Sequence, residues 1–337
     1  VMERWAVGCT SLCVGGHIFF AESLDTFVED LKRARPTLFI SVPRLWLKFQ
    51  LGVFQKMPPK KLNLFLKIPI LNNIVRKKIL SNLGLDAVRY AASGSAPIPA
   101  ELIQWYRDLG LELLEGYGMS ENFCYSHVSF PGKSRVGYVG NAYPKVQHKI
   151  SDVGEILVKS PANMKGYFKQ PELTAEAFTE DGFLKTGDKG ELDGEGRLRI
   201  TGRVKEIFKT SKGKYVAPAP IENLINVHPM VELSVVTGAG LPMPVGLIQV
   251  AEDLQPRLSD AGFRDKLTGE LTTLLTSVNG QVAKFEQLAG FVVVPERWTI
   301  EDGFLTPTMK IRRGTVEDTY GDRIEGWANA KQPVQFA

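Results

Sequence analysis

The sequence predicts an α/β fold with a parallel sheet, a small antiparallel β module attached to it, and a separate α+β domain. Three observations support this prediction. Strand-like runs flank a helical pattern before residue 116, a hairpin pattern rich in Gly and charge lies around Asp193, and further strands and helices follow residue 214. The 337 residues are 44% hydrophobic and 23% charged, which suffices for the core of one large domain or of two.

The parallel sheet is predicted from strand-like runs over Thr37 to Val42, Ala87 to Ala92 and Leu111 to Glu115. A helical pattern over Pro99 to Leu109 separates the last two runs. Strand, helix and strand at this spacing are typical of parallel pairing. Tyr117 to Glu121 follow the third strand directly. Ligands bind at the carboxyl ends of strands in open α/β sheets, so this edge is the candidate site.

The antiparallel module is predicted between Val146 and Gly202. Val153 to Val158 has the pattern of a strand. Gly190 to Ile200 has the pattern of a hairpin that turns at Asp193-Gly194.

The second domain is predicted after the polar stretch from Lys209 to Lys214. Pro218 suits the first turn of a helix, which should continue to Val227. A domain boundary near Gly202 to Lys205 separates this α+β region from the residues before it. Its other predicted elements are strands over 234–237, 247–250 and 291–294 and a helix over 263–278.

The net charge of +4, from 41 basic and 37 acidic residues, permits attraction to phosphates or anionic lipids. No nucleic-acid reading motif accompanies it, so we expect no nucleic-acid partner. Three cysteines without a CxxC pair are typical of a reduced, cytoplasmic chain. The four histidines are scattered, so no zinc site is predicted.

Two apolar segments bear on membrane contact. Val7 to Phe20 is shorter than the ~20 residues that span a bilayer, and we interpret it as a buried strand-turn-strand or helix. Lys60 to Leu80 is basic and apolar, with Pro69 inside it. It fits either ordinary helices on a solvated face or helices that lie on a membrane surface, so peripheral membrane contact is an open expectation.

The motif from Gly116 to Glu121 supplies groups suited to a nucleotide. Tyr117 offers a ring for stacking on a base, and Gly116 and Gly118 keep its approach open. Ser120 offers a hydroxyl to a phosphate, and Glu121 a hard anionic oxygen suited to Mg²⁺. The structural alternative is a strand-end turn with helix-capping residues.

Four other motifs could complete such a site. Gly94-Ser95-Ala96-Pro97 would let a flat ring approach the backbone. Asp188 can accept hydrogen bonds from both hydroxyls of a ribose, and Arg203 offers a planar fork to ribose or phosphate oxygens. Lys310 is a compact cation for the oxygens of a carboxylate and an α-phosphate. Each motif alone also fits a turn, a loop, a hairpin end or an edge strand.

Together, the order and spacing of these motifs resemble the adenylate-forming (AMP-binding) superfamily, and within it the long-chain fatty acid–CoA ligases. The resemblance covers almost the whole chain. The residues that carry it are Tyr117 to Glu121, Met164 to Phe168, Thr186 to Asp188, Gly202 to Ile207 with Lys209, and Leu305 to Arg313.

The resemblance implies a role for each candidate residue. Tyr117 would stack on adenine. Ser120 would contact a phosphate, Glu121 would bind Mg²⁺, and Asp188 and Arg203 would contact the ribose. Lys310 would support adenylation, Lys205 would be a hinge, and Gly213 would contact coenzyme A. The remaining nucleotide contacts would come from Gly94, Ser95, Ala96, Pro97, Gly116, Gly118 and Met119.

The implied reaction joins a fatty acid to AMP and then transfers the acyl group to coenzyme A, with ATP and Mg²⁺ required. Residues 1–203 would be part of the large α/β N-terminal domain, with its β module at about 140–202. Residues 204–209 would be a hinge, and 210–337 a smaller, mobile α+β lid. Because acyl-AMP is a reactive anhydride, such a site must exclude water.

The sequence departs from the family in three places. Ser120 replaces a frequent Thr, and Met309 stands before Lys310 where many relatives have Gly. The Ser/Thr/Gly-rich loop ending in Lys that holds ATP phosphates does not occur in the 337 residues, so we expect it to precede them in a longer protein. The chain alone is then expected not to adenylate.

Two alternatives remain from the sequence. One is an acyl-AMP ligase that delivers its product to a carrier protein. The other is a non-catalytic module that binds adenylate.

Overall fold

The computed structural model describes residues 4–23, 25–306, 309–330 and 332–337. The chain divides into two compact units, Val1–Ile200 and Thr201–Ala337. Both units combine sheets with helices, which confirms the mixed α/β class. No helix in these ranges is both long and apolar enough to cross a bilayer.

The first unit contains a five-stranded sheet in the order β1-β2-β3-β4-β5 and most of a four-stranded sheet in the order β6-β7-β8-β9. Its helices are α1 (Thr10–Val14), α2 (Phe27–Ala34), α3 (Pro43–Lys56), α4 (Pro59–Lys67), α5 (Pro69–Asn82), α6 (Ala100–Asp108) and α7 (Pro171–Ala177). Its strands are β1 (Leu38–Ser41), β2 (Tyr90–Ser93), β3 (Leu113–Tyr117), β4 (His127–Val128), β5 (Asn141–Ala142), β6 (Gln147–Ile150), β7 (Glu155–Lys159), β8 (Leu184–Leu192) and β9 (Leu198–Arg203), whose last residues enter the second unit.

Strands β1, β2 and β3 are parallel, as the sequence predicts. Helix α6 connects β2 to β3 and buries Leu102, Ile103 and Tyr106. The Tyr106 hydroxyl donates to the carbonyl of Trp46 at 2.7 Å, and the two rings pack edge to face with centroids 4.9 Å apart. This contact ties α6 to α3 in the core of the unit, where an aromatic pair of this geometry adds about 0.5–1.5 kcal/mol.

The segment from Val7 to Phe20 is helical where it has regular structure, with a π-helix over Arg4–Cys9 followed by α1. The expected burial is wrong, because the exposed fractions of Leu12 and Phe20 are 87% and 86%. Among the described residues, none packs closely enough over these side chains to cover them.

The predicted hairpin is confirmed as β8–β9, but its turn is longer than Asp193-Gly194. Asp193 Oδ1 accepts hydrogen bonds from the backbone N–H of Glu195 at 2.9 Å and of Arg197 at 3.0 Å. Gly196, with φ +72°, occupies the left-handed position. The Asp193 side chain therefore sets the turn, as Asx side chains do, and the glycine that the backbone needs is Gly196.

The second unit is built on a four-stranded sheet in the order β12-β13-β14-β15, with one antiparallel and two parallel pairings. The two faces of this sheet bury alternate residues. Val236 and Ile248 pack with α8 and α9, while Val235 and Leu247 pack with α10. The elements of the unit are β10 (Phe208–Lys209), β11 (Tyr215–Val216), α8 (Pro218–Ile225), β12 (Val231–Thr237), β13 (Val245–Val250), α9 (Ala261–Gln281), β14 (Phe291–Val293), α10 (Arg313–Asn329) and β15 (Val334–Phe336).

Candidate active site

The carboxyl ends of β2 and β3 lie side by side, because Ser93 of β2 pairs in parallel register with Glu115 of β3. The segment Gly94 to Pro97 and the segment that follows Tyr117 therefore leave the sheet at the same edge. Gly94 is buried, whereas the three residues after it are exposed. Ser95 has φ +70°, a left-handed conformation that is costly for a non-glycine residue and frequent at ligand sites.

Tyr117 contacts Asp188 directly. Its hydroxyl donates to Asp188 Oδ2 at 2.7 Å, although the two residues are 71 positions apart. Asp188 lies within β8, and its backbone N–H donates to the Thr186 hydroxyl at 3.1 Å. That hydroxyl in turn donates to the carbonyl of Ile156 at 2.8 Å. The Thr186-Gly187-Asp188 motif is thus fastened to β7, and the structure brings two predicted nucleotide residues together.

The two glycines beside Tyr117 differ in what they require. A Cβ on Gly118 would lie 2.5 Å from the Cα of Cys124, whereas a Cβ on Gly116 would meet nothing within 4 Å. The backbone folds back at this point, since the Cys124 N–H donates to the carbonyl of Met119 at 2.9 Å. Met119 also donates its own N–H to Asn122 Oδ1 at 2.9 Å. Gly118 therefore permits a tight backbone turn. This is a second reason for glycine at this position, in addition to leaving the Tyr117 ring accessible.

Ser120 and Glu121 lie in a short 3₁₀ turn, Ser120–Asn122, directly after this fold-back. Ser120 is exposed and Glu121 is partly buried. Glu121 Oε1 accepts a hydrogen bond from the Tyr167 hydroxyl at 2.9 Å, and its carbonyl accepts from the Met164 N–H at 2.6 Å. Burial and this bond to Glu121 raise the pKa of Tyr167. The sequence assigned no role to Tyr167, although the Met164 to Phe168 motif contains it.

Glu121 fits a Mg²⁺ ion that is shared with a phosphate substrate. Such ions are often held by one or two carboxylates together with substrate oxygens and water. Within residues 4–23, 25–306, 309–330 and 332–337, no group of three or more His, Cys, Asp and Glu side chains could hold a metal on its own. The Glu121 carboxylate is partly exposed and held by Tyr167, as expected of a site in which the substrate phosphates supply the other Mg²⁺ ligands.

A buried polar layer lies behind Tyr117, and the sequence did not predict it. Burial raises the pKa of Glu115 to about 8, against the opposing effects of the Gly137 backbone and Arg107. His127 pairs with Tyr117 across β3 and β4, and burial, aided by His148, lowers its pKa to about 3. Both side chains are therefore neutral at pH 7. The position of Glu115 in the middle of an apolar strand is the feature of the sequence that could have predicted these buried polar residues.

In the second unit, Arg203 ends β9 and is exposed. The turn that follows contains the exposed Lys205, and the Glu206 N–H donates to the carbonyl of Arg203 at 3.1 Å. Gly213 lies in the loop between β10 and β11 with φ +75°. The Thr210 N–H donates to the carbonyl of Lys214 at 2.9 Å and closes this loop.

Lys310 is exposed in a tight turn. The turn is framed by an antiparallel bridge between Leu305 and Ile311, and the Thr306 N–H donates to the Lys310 carbonyl at 2.8 Å. Met309 has φ +62°, which explains why glycine suits this position. Pro307 and Thr308 of the predicted motif lie outside the described residues.

Arg313 joins the segment after Lys310 to the segment after Lys205. One of its terminal nitrogens lies 2.6 Å from Glu222 Oε1, and its Nε lies 3.3 Å from Glu206 Oε2. Glu222 Oε1 also accepts the Val236 N–H at 2.7 Å. The partly buried Arg313 thus links α10, α8, β12 and the turn beside Lys205 within the second unit.

Comparison with known families agrees with this geometry. Residues 1–168 match the AMP-binding enzyme family, and residues 205–331 match the AMP-binding enzyme C-terminal domain. The chain belongs to the AMP-binding enzyme family. Asp188 and Arg203 lie between the two matched regions.

Relatives of this chain include long-chain-fatty-acid–CoA ligases. FadD15 of Mycobacterium bovis is 35% identical over 275 residues, which cover 78% of this chain and 46% of the relative. Long-chain-fatty-acid–CoA ligase 1 of Cavia porcellus is 32% identical over 370 residues, which cover 96% of this chain and 52% of the relative. The chain therefore spans about half the length of these curated relatives.

Among solved structures, the fold resembles the adenylation domain of the carboxylate reductase from Mycobacterium chelonae. The TM-score is 0.73 at 26% identity, and the match covers 91% of this chain and 49% of the other. Both units thus match models of the AMP-binding family. The similar proteins include both fatty-acid–CoA ligases and a carboxylate reductase, so their overall activities differ.

The placement of the candidate residues follows the two units of the chain. In the first unit, Tyr117 contacts Asp188, and Gly94 to Pro97 leave the sheet beside the Tyr117 loop. Arg203, Lys205, Gly213 and Lys310 belong to the second unit. The convergence of the two sets on one adenylate stays a prediction, as do the individual roles.

Proposed function

We propose that this chain is part of an ATP-dependent acid–CoA ligase that activates a long-chain fatty acid as acyl-AMP and transfers the acyl group to coenzyme A. The observation that carries the proposal is the 2.7 Å hydrogen bond between Tyr117 and Asp188 in a chain of the AMP-binding family. It joins an aromatic ring and a carboxylate, the two groups that adenosine recognition needs. The names of the relatives from M. bovis and C. porcellus support the choice of acid and acceptor.

The first unit would bind the nucleotide. The Tyr117 ring stacks on adenine beside Gly94 to Pro97, while its hydroxyl holds the Asp188 carboxylate in place to accept the ribose hydroxyls. Ser120 contacts a phosphate oxygen. Glu121, oriented by Tyr167, would hold Mg²⁺, which supplies charge neutralisation between the anionic phosphates and carboxylate.

The second unit would supply the groups that differ between the two steps. Lys310, exposed on its turn, neutralises charge on the carboxylate and the α-phosphate during adenylation. The loop containing Gly213 faces coenzyme A in the second step. Lys310 and the Gly213 loop must approach the same acyl carbonyl in turn, which requires a hinge. We place this hinge at Lys205. Domain motion of this kind often limits turnover.

Binding of AMP to the 337-residue chain tests the nucleotide site. We expect Asp188→Asn to weaken AMP binding by roughly 10- to 100-fold, because a hydrogen bond to a charged acceptor contributes ~1.5–3 kcal/mol. The same variant should bind AMP and 2′-deoxy-AMP with nearly equal affinity, whereas the unsubstituted chain prefers AMP. Asp152→Asn, on an exposed loop residue, is the control and should change neither affinity. An unaltered preference for AMP in Asp188→Asn contradicts the ribose assignment.

Thioester formation tests the reaction. In a longer protein that contains these residues, Lys310→Ala should lower acyl-AMP formation by roughly 10²–10³-fold, the scale of losing one group that stabilises transition-state charge. Lys284→Ala removes an exposed lysine elsewhere in the second unit and should leave the rate unchanged. The 337 residues alone should show no ATP–pyrophosphate exchange above their own Lys310→Ala variant.

A second candidate is an enzyme that passes acyl-AMP to an acceptor other than coenzyme A. The likeness to the adenylation domain of a carboxylate reductase favours it. The two candidates share the first step and differ in the second. Acyl-AMP formation that continues without thioester formation when coenzyme A is supplied would support the second candidate.

A further inference from the structure

Helices α4 and α5 have two apolar faces, and only one of them packs against the core of the first unit. The inner faces bury Leu62 and Ile79, whose exposed fractions are 0% and 7%. The outer surface carries five further apolar side chains that remain exposed. They are Leu64 (59%), Ile68 (40%), Ile70 (79%), Leu71 (38%) and Ile74 (58%).

The exposed apolar residues of α5 form a single stripe. Ile70 and Ile74 are four positions apart, and Lys77 and Lys78 follow Ile74 by three and four positions, so all four share one helix face. On α4, Lys60, Lys61 and Lys67 flank the exposed Leu64 at the same spacings. The Asn72 side chain donates to the carbonyl of Leu66 at 2.7 Å and ties α5 to the end of α4.

The charge of this region has one sign. Helices α4 and α5 contain six Lys and Arg residues and no Asp or Glu, although the whole chain has a net charge of only +4. The remainder of the chain is therefore net acidic. A positive field is concentrated where the exposed isoleucines lie, and it is complementary to an anionic surface.

We propose that the outer surface of α4 and α5, defined by Leu64, Ile68, Ile70, Leu71 and Ile74 with the surrounding lysines, binds the surface of an anionic lipid bilayer. The helices lie in the headgroup region, with the isoleucines inserted and the lysines extended toward lipid phosphates. The proposed contact is a surface contact of these two helices, and no helix in the described ranges is both long and apolar enough to span a bilayer. The proposal does not depend on the catalytic function proposed above.

The composition of the surface favours lipid over a protein partner. Protein interfaces are depleted of lysine at their centres, whereas helices that lie on membranes combine lysine with exposed aliphatic side chains. Each cation near an anionic leaflet increases binding about fivefold. The exposed cations on the two helices can thus hold aliphatic side chains that would insert only weakly by themselves.

Vesicle flotation tests the proposal on the 337-residue chain. The probes are vesicles of phosphatidylcholine alone and of phosphatidylcholine mixed with phosphatidylglycerol. We expect binding to the anionic vesicles, much weaker binding to the neutral ones, and loss of binding as ionic strength rises from about 0.05 to 0.5 M. Equal binding to both vesicles, or binding to neither, overturns the proposal.

Paired variants separate the two contributions. Lys77→Gln with Lys78→Gln should lower binding about thirtyfold, and Ile70→Ser with Ile74→Ser by tenfold or more. The matched controls are Lys266→Gln with Lys284→Gln, and Val153→Ser with Leu173→Ser, which alter exposed side chains outside α4 and α5. Both controls should bind as the unsubstituted chain does. Equal losses in the test variants and the controls contradict the proposed surface.

Other occupants predict different results. If this surface pairs with a second copy of the chain, Ile70→Ser with Ile74→Ser converts a dimer to a monomer in sedimentation velocity and leaves vesicle binding unchanged. Far-ultraviolet circular dichroism of each variant should match that of the parent, because the replaced side chains are exposed. A change of oligomeric state without a change of vesicle binding overturns the lipid assignment.

Discussion

Single residues of the candidate site are held by partners far away in the sequence. Tyr117 donates to Asp188, and Tyr167 donates to Glu121, across 71 and 46 positions. The residue types could be predicted from the motifs, because a nucleotide needs an aromatic face and hard anionic oxygens. The pairing could not, because nothing local in either segment specifies its partner.

The two glycines beside Tyr117 give a matched test at this scale. Gly118→Ala should destabilise the first unit by about 1–3 kcal/mol, because its Cβ would lie 2.5 Å from the Cα of Cys124 and the backbone must shift. Gly116→Ala meets open space and should change the free energy of unfolding far less. Urea denaturation of both variants measures the difference. Equal effects would contradict the close approach at Gly118.

The buried Glu115 predicts a pH dependence of stability. Its pKa is about 8 in the folded chain and near 4.5 when exposed, so the folded state holds an extra proton between these values. Stability should therefore fall as pH rises from about 5 to 8, by up to roughly 1.4 kcal/mol per pH unit from this group. Glu115→Gln cannot ionise and should flatten this dependence.

Denaturation of the Glu115→Gln chain at several pH values between about 5 and 8 checks this expectation. Glu101→Gln, on the exposed side of α6, is the control and should keep the slope of the unsubstituted chain. A slope that is the same in all three proteins would show that Glu115 is ionised in the folded state.

At the scale of elements, the sequence predicted the strands and the edge at which they end. The runs that become β1, β2 and β3 are short and apolar, and the helix between β2 and β3 supplies the crossover that parallel pairing needs. Turns were predicted less well. The β8–β9 hairpin turns through Gly196 because the Asp193 side chain caps the loop, a contact that the Asp-Gly pair alone does not reveal.

The Arg313 linkage gives a prediction for the elements of the second unit. Arg313→Met removes the cation beside the buried Glu222 and should cost about 3–5 kcal/mol. Combining it with Glu222→Gln should recover part of that loss, because the uncompensated charge is removed. Arg312→Met alters the exposed neighbour and should cost less than about 0.5 kcal/mol. Thermal denaturation of the parent, Arg313→Met, Glu222→Gln and the double variant gives the coupling directly, and additive effects would contradict it.

At the scale of the whole molecule, the chain consists of two units with separate cores. The division at Ile200 and Thr201 lies close to the boundary that the sequence predicts near Gly202 to Lys205. The exact limits of the hinge and of the lid remain predictions. The antiparallel module and the parallel sheet belong to one unit. The change in residue pattern near Val146 did not by itself show whether the module is a separate domain.

Limited proteolysis checks the two-unit organisation. Trypsin should cut first between Arg203 and Lys214, where Lys205, Lys209 and Lys212 are exposed, and should leave two resistant fragments that correspond to the units. Replacing these lysines by Gln should delay the cut. A first cut inside α9 or within the parallel sheet would show that one of the units is not compact.

The sequence by itself determined the residue types of the candidate site, the parallel order of the first strands and the family. These properties are encoded locally, in side-chain chemistry and in the period of apolar residues. Only the tertiary structure decided that Tyr117 meets Asp188, that Gly118 backs onto Cys124, and that Glu115 and His127 are buried and neutral. Burial and partnership depend on segments that are distant along the chain, so no local pattern can specify them.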